Sequence, residues 1–296
     1  MSLNYIKRFL RDLYHTWERV DAGTFIIYLS KIAVCAPEII RTKTLVSANQ
    51  KMRGHMCRFK TGDGITVVLD GEFFGIAKEI YCNRVYFAVP GFEVNTGDYV
   101  VDLGAQCGTF TTLAAARGGR VISVEAQSGF IPFIEANLKK NNCLNEASIE
   151  WGIIGANAGL FSDPANRRAA SHYYQEAPMV TFYDLIKKYN LRQVDFLKVD
   201  IEGSEFDLFT GDISWLAIVK RIAMEVHLDC GDVNKLSSIL EKAGFEVWLV
   251  DNDRQVVRDL TRNSQQIAGY LFARKLAQGE MLSHKQTAMA IAARSA

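Results

Sequence analysis

Apolar and polar positions follow two rhythms along the 296-residue chain, changing near residue 97. Before that point, residues 1 to about 48 carry apolar positions at helical spacing and predict two helices. From 51 to 89, short β-rich runs broken by turns take over. In "CRFKTGDGITVVLD", Gly62-Asp63-Gly64 separates two of these runs and predicts a hairpin. After the loop "GFEVNTGDY", strands and helices alternate. Strands are expected at 99–103, 120–124, 147–154, 195–199 and over "VKRIAMEV", "FEVWLV" and "IAGYLFARK". Helices are expected at 109–117, from Ser128 onward, over "VTFYDLIKKYN", from Ser204 onward and at 232–243, with Gly118 and Gly244 as stops. Thr181 with Asp184, and Ser204 with Asp207, have capping-box spacing. Parallel neighbours need crossover helices, so this alternation predicts an α/β, doubly wound, mostly parallel sheet. The last two strands have no helix between them and should pair antiparallel at one edge. The expected organisation is an N-terminal helical and β-hairpin extension (1–96), an α/β domain (97–275) and an Ala-rich tail (276–296).

Composition narrows this picture only a little. Charge is nearly balanced, with 34 basic against 33 acidic residues, so no global field draws the protein to nucleic acid or an anionic membrane. Six cysteines lie far apart with no C-x-x-C pair, which predicts reduced thiols. The N-terminus has no signal-peptide core, and "TFIIYLSKIAVCAPEII" (24–40) is interrupted and short for a membrane span, predicting a helix packed on protein. A cytoplasmic protein without a membrane span is expected, with a homodimer compatible.

The candidate chemistry starts at "YVVDLGAQCGTFTTLAAARGGRVISVEAQ" (99–127). In open α/β sheets, ligands bind beyond the carboxyl ends of strands, where "DLGAQCG" should lie. A dinucleotide site uses G-x-G-x-x-G to bring backbone amides onto a pyrophosphate. Here Gly104 and Gly108 are separated by Ala105, Gln106 and Cys107, and no Walker lysine follows. The pattern suits an adenosine-bearing ligand without phosphate. Gly104 allows close backbone approach, Asp102 can face an ammonium group, and Glu125 is placed for a ribose diol. Those are the requirements of S-adenosylmethionine. Asp102 and Glu125 could instead satisfy loop amides.

"VVDLGAQCGTFT" with "VISVEAQ" resembles the first two motifs of class I S-adenosylmethionine-dependent methyltransferases. "VDFLKVDIEGSEFDLF" with "IAMEVH", and the aromatic-rich run leading into the first motif, resemble the FkbM family within that class. The resemblance covers about residues 72–275. It implies a seven-stranded sheet in the order 3-2-1-4-5-7-6, with strand 7 antiparallel, and methyl transfer, usually to a hydroxyl oxygen. Gln106 stands where asparagine is common and keeps the amide. The cofactor residues expected are Asp102, Gly104, Ala105, Gln106, Gly108, Glu125 and Ala126, with Ile154 and Gly155 bordering the adenine.

Transfer to oxygen needs somewhere for the hydroxyl proton to go. Asp200, at the end of a strand, is the first candidate base. His227 is the second, because an unperturbed imidazole titrates near neutrality. Glu202 is divided between capping and catalysis, and Glu205 and Asp207 read as helix N-terminal charges. Lys198 faces either the cleft or a carboxylate. Asp200, Glu202, Glu225, His227 and Asp229 could together hold Mg²⁺, but no metal is assigned. The segment 161–178, with Arg167, Arg168, His172, Tyr173 and Tyr174, is either a lid over an acceptor or a solvated linker. The function expected is O-methylation of a hydroxyl on a sugar, glycolipid or secondary metabolite. The alternatives are an NAD- or nucleotide-sugar-dependent enzyme and a non-catalytic cofactor-binding module.

Overall fold

A computed structural model describes residues 3–61, 64–155, 177–260 and 268–277. The described residues fall into two compact units, one reaching to Ile153 with 177–178, the other taking Ile154, Gly155 and everything from Met179.

The first unit opens with four helices where two were expected: α1 (Leu3–Arg19), α2 (Ala22–Val34), α3 (Ala36–Thr42) and α4 (Val46–Gln50). Asp21 starts α2 by accepting the Thr24 amide at 2.8 Å. Pro37, in the first turn of α3, sets a break, and α3 turns 72° away from α2. Within α2 only Thr24 and Tyr28 are buried, so the apolar segment expected to pack on protein leaves most of its aliphatic side chains outside. No single described helix is long and apolar enough to cross a membrane.

The predicted hairpin is present as β1 (Met56–Lys60) and β2 (Thr66–Asp70), paired antiparallel from Met56↔Asp70 to Lys60↔Thr66. Gly71 follows because a Cβ there would collide with the Met52 carbonyl, and the short helix α5 (Phe74–Ala77) comes next. Strands β3 (Tyr99–Leu103), β4 (Arg120–Glu125) and β5 (Ala147–Trp151) run parallel in the order β5-β4-β3, the 3-2-1 arrangement expected. Two helices serve them, α6 (Thr109–Ala116) and α7 (Ile131–Lys140). Ser128 does not cap α7; a 3₁₀ turn, Ser128–Phe130, precedes it, and Pro132 lies in its first turn.

The hairpin and the aromatic run are tied to these helices within the same unit. The Asn141 side chain accepts from the Val68 amide (2.7 Å) and donates to the Val68 carbonyl (2.9 Å), closing the free side of β2 as another strand would. Tyr81 donates to the Thr109 carbonyl at 3.0 Å, and the Phe87 ring stacks on Phe110. Lys78 is buried, its ammonium held by Asp12 (2.7 Å) and the Tyr28 hydroxyl (3.1 Å), which spares a desolvated charge from standing alone.

In the second unit, β6 (Phe196–Val199), β7 (Arg221–His227), β10 (Ala268–Lys275), β8 (Phe245–Val250) and β9 (Val256–Val257) are neighbours in that order. The first four reproduce the expected 4-5-7-6 order; β9 adds a two-residue edge strand that was not expected. β6 and β7 are parallel, and β10 is antiparallel to both β7 and β8. The Thr181–Asp184 capping box forms and starts α8 (Phe182–Tyr189). Asp232 caps α10 (Val233–Lys242). Ser204 makes no capping bond to α9 (Glu205–Leu208), contrary to its spacing.

Candidate functional site

Two groups of site residues stand at strand ends, one in each unit. In the first, the chain leaves β3 through Gly104–Gly108, a turn in which Gly104 (φ 76°), Gln106 (φ 49°) and Gly108 (φ 77°) are left-handed. Gly104 and Gly108 take this conformation freely, while Gln106 is strained and needs a clamp. Glu125, at the end of β4, supplies it: one carboxylate oxygen accepts from the Gln106 amide at 2.7 Å, the other from the Gln127 amide at 2.6 Å. Asn137 on α7 holds the turn from behind by donating to the Cys107 carbonyl at 2.8 Å. A Cβ on Gly108 would press on Ile134, so that glycine also lets α7 approach.

Asp102 is fully buried and accepts from the Thr111 hydroxyl at 2.7 Å. Glu125 likewise is buried and bonded to loop amides, which is the bland alternative the sequence allowed. The only basic residues in 99–127 are Arg117 and Arg120. Arg120 sits at the other end of β4 and donates to the Tyr99 hydroxyl at 2.7 Å. An acidic strand end with left-handed backbone fits a ligand carrying hydroxyls and an ammonium group, and it disfavours phosphate. S-adenosylmethionine has those groups. Glu125→Ala removes the carboxylate and releases the strained turn; the affinity for S-adenosylmethionine is expected to fall about tenfold or more by calorimetry, the scale of lost charged hydrogen bonds.

The second group is built around Glu205. Its side chain has no exposed surface, and one carboxylate oxygen accepts from the amides of Ile201 and Gly203, both at 3.1 Å. The same oxygen lies 3.0 Å from His227 Nδ1, at the end of β7. The other ring nitrogen, Nε2, is 3.4 Å from Glu202. Glu202 has φ 55°, an unfavourable left-handed conformation for a non-glycine residue, and Gly203 follows at φ 96°. Burial by itself would lower the His227 pKa, but hydrogen bonds to Glu202 and Glu205, with their charges, raise it to about 11. Its bond to His227 in turn holds the Glu202 carboxyl below the usual range.

This corrects the expectation that His227 titrates near neutrality. At neutral pH it is an imidazolium donating from both nitrogens, with no lone pair for a substrate proton. Asp200 stands differently. It is 27% exposed, just beyond β6, with the buried Lys198 ammonium 3.8 Å from its carboxylate. Lys198 therefore faces a carboxylate. Donor atoms of Asp200, Glu202 and His227 also lie within 4.8 Å of one another, a spacing a divalent cation could bridge; Glu202 and His227 already answer one another as an ion pair. Gly155 presses on this turn, since a Cβ there would come within 2.7 Å of the Ser204 carbonyl. Ala156 and residues 161–176, including Arg167, Arg168, His172, Tyr173 and Tyr174, lie outside the described residues.

Glu205 is the residue that sequence reasoning misplaced. A signal existed: a carboxylate two residues after a glycine, in a helix too short to need a dipole partner, with a strand-end histidine 22 residues later. Asn137, Asn141 and Thr111 were also missed, because partners 9 to 73 residues away leave no local pattern.

Residues 102–247 match the model of the methyltransferase FkbM domain. The chain is 23% identical over 231 residues to a protein of Streptomyces tacrolimicus named 31-O-demethyl-FK506 methyltransferase FkbM, spanning 64% of this chain and 88% of that one. It is 21% identical over 211 residues to Methyltransferase 1 of Beauveria bassiana, spanning 60% and 82%. Among solved structures, an O-methyltransferase from Bacillus cereus in complex with SAH aligns at a TM-score of 0.41 and 13% identity, covering 66% of this chain and 81% of that one.

Proposed function

The chain belongs, through residues 102–247, to the FkbM family of S-adenosylmethionine-dependent methyltransferases, and from that premise we propose that it methylates a hydroxyl oxygen on a sugar, glycolipid or secondary metabolite, with Asp200 taking the proton. The observation carrying the choice of base is the clamped His227, which also engages Glu202 and leaves Asp200 as the solvent-accessible carboxylate of the second group that the imidazole does not hold. The choice of oxygen draws on the name of the Streptomyces relative, an O-demethyl compound's methyltransferase.

When bound, S-adenosylmethionine supplies an electrophilic methyl on a sulfonium and leaves as S-adenosylhomocysteine. The residues of the chain do the rest. Asp102 and Glu125 with the 104–108 turn hold the cofactor, and Ala126, Ile154 and Gly155 border it. Asp200 accepts the hydroxyl proton as the oxygen–methyl bond forms, and the product is a methyl ether. Lys198 fixes the Asp200 carboxylate. The His227 imidazolium, held by Glu205, fixes Glu202. The protein acts on a small-molecule or glycan acceptor from the cytoplasm. In this reading every residue that binds the cofactor or takes the proton lies within the proposed α/β domain, 97–275.

Calorimetric titration of the purified protein with S-adenosylmethionine and with NAD⁺ should give binding for the first and none for the second. A screen of hydroxylated acceptors for S-adenosylhomocysteine release should then find turnover that EDTA does not reduce. Transfer only to amines would sink the oxygen assignment, and loss of turnover in EDTA restored by Mg²⁺ would replace the Asp200 role with a metal centre.

A further inference from the structure

The N-terminal helices leave much of their apolar surface outside. On α1 the buried positions are Thr16 and the flanking Val20, and the inner side also carries Asp12, which reaches Lys78. The side turned to solvent carries Ile6, Leu10, Tyr14 and Trp17, spaced four, four and three apart. Leu10 is 57% exposed and Trp17 55%. On α2 the buried residues are Thr24 and Tyr28, while Ile26 is 66% and Val34 67% exposed. Ile40 on α3 and Val46 on α4 are exposed as well. The Trp17 ring meets the Phe25 ring edge-on at 5.1 Å, which joins the apolar stripe of α1 to α2. Scattered exposed aliphatics need no explanation, but a joined stripe of this kind does.

Charge says what covers it. Residues 1–53 hold nine Lys and Arg against four Asp and Glu, while the remaining 243 hold 25 against 29. The near-neutral total therefore hides a segregation of positive charge onto the helices with the exposed apolar stripe. Lys7, Arg8 and Arg11 alternate with Ile6, Leu10 and Tyr14 on α1; Arg41, in an exposed pair with Glu38 at 3.9 Å, adjoins Ile40 on α3, and Lys43 follows the helix end. Apolar and aromatic side chains flanked by lysine and arginine are the composition of helices that lie in a bilayer interface, with Trp and Tyr at the headgroup level. A second copy of the chain fits less well. A twofold interface places the same patch on both sides and would set this excess of positive charge against itself.

We propose that the face formed by α1, α2 and α3 docks on an anionic lipid surface, lying in the interface without spanning it. Leu10, Trp17 and Ile26 enter the headgroup–acyl boundary, and Lys7, Arg8, Arg11 and Arg41 meet lipid phosphates. The inference is independent of the acceptor assignment, because none of these residues belongs to either site group.

Flotation of the full chain with phosphatidylcholine vesicles, with and without phosphatidylglycerol, tests it. Binding is expected to the phosphatidylglycerol vesicles, weaker by about tenfold or more on plain phosphatidylcholine, and reduced at about 1 M salt, where the Debye length is ~3 Å. The double variant Leu10→Glu/Trp17→Glu should lose vesicle binding while keeping its affinity for S-adenosylmethionine and its thermal midpoint. Lys7→Glu/Arg11→Glu should do the same, at low salt above all. No binding to either vesicle would overturn the proposal. So would a dimer in light scattering that Leu10→Glu/Trp17→Glu dissociates, since a second copy would then own the face. Binding that both double variants retain would also overturn it.

Discussion

Asp200→Asn is expected to lower kcat by about a hundredfold or more, roughly 2.7 kcal/mol of transition-state stabilisation, with the affinity for S-adenosylmethionine almost unchanged. Asparagine is nearly isosteric and keeps an oxygen that can accept from Lys198, now 3.8 Å from the carboxylate. What it loses is the capacity to hold a proton, so the effect should sit in kcat and leave acceptor KM alone. Single-turnover measurement with saturating cofactor and acceptor separates this from slow product release. A normal rate in the variant removes Asp200 from the chemistry. A rate lost together with cofactor affinity marks Asp200 as a structural carboxylate holding its turn. Glu202→Gln is the companion. Glu202 faces an imidazolium, so its loss should disturb the position of the turn more than the proton transfer, and a fall smaller than tenfold is expected.

How far the sequence could be read follows from the range of each interaction. The alternation from Tyr99, the pairing of β1 with β2 and the Thr181–Asp184 capping box are set by neighbours within a few residues, and all three appear in the structure. The acidic ends of β3 and β4 were visible for the same reason. Ser204 and Asp207 have the same spacing as a real capping box, yet no such box forms there. Glu205 takes the Ile201 and Gly203 amides instead, and that preference depends on His227 arriving from another strand. The ordinary titration expected of His227 failed through the same contact, since nothing near it in sequence shows two carboxylates closing on its ring. The segment 24–40 misled in another way. Hydropathy reports that a helix is apolar but not which side is covered, and here Thr24 and Tyr28 face inward because Arg58 and Asn49 supply their hydrogen-bond partners.

The largest effect on stability is expected at His227. With its native pKa near 11 and an unfolded value of about 6.5, the native state holds a proton that the unfolded chain releases. The stabilisation is thus fully present below about pH 6.5 and is lost as pH climbs towards 11. Urea midpoints converted to free energy should fall by about 1 kcal/mol per pH unit between pH 7 and 8.5. Above that range buried thiols add a second decline of the same sign. Burial pushes Cys57, Cys82 and Cys107 up to about 12, whereas the unfolded thiols ionise near 8.5. On the acid side Glu202 works oppositely: its lowered native pKa gives stability that is lost as pH falls through it, but the side chain is 58% exposed and its share is small. His227→Gln should therefore flatten the slope between pH 7 and 8.5 and leave the thiol decline in place. It should also cost roughly 3–5 kcal/mol near pH 6, because Glu205, with no exposed surface, loses its cationic partner. Glu205→Gln together with His227→Gln removes both charges and should recover part of that loss. A wild-type slope that His227→Gln leaves intact would show that the imidazole is neutral in the native protein, and would return it to contention as a base.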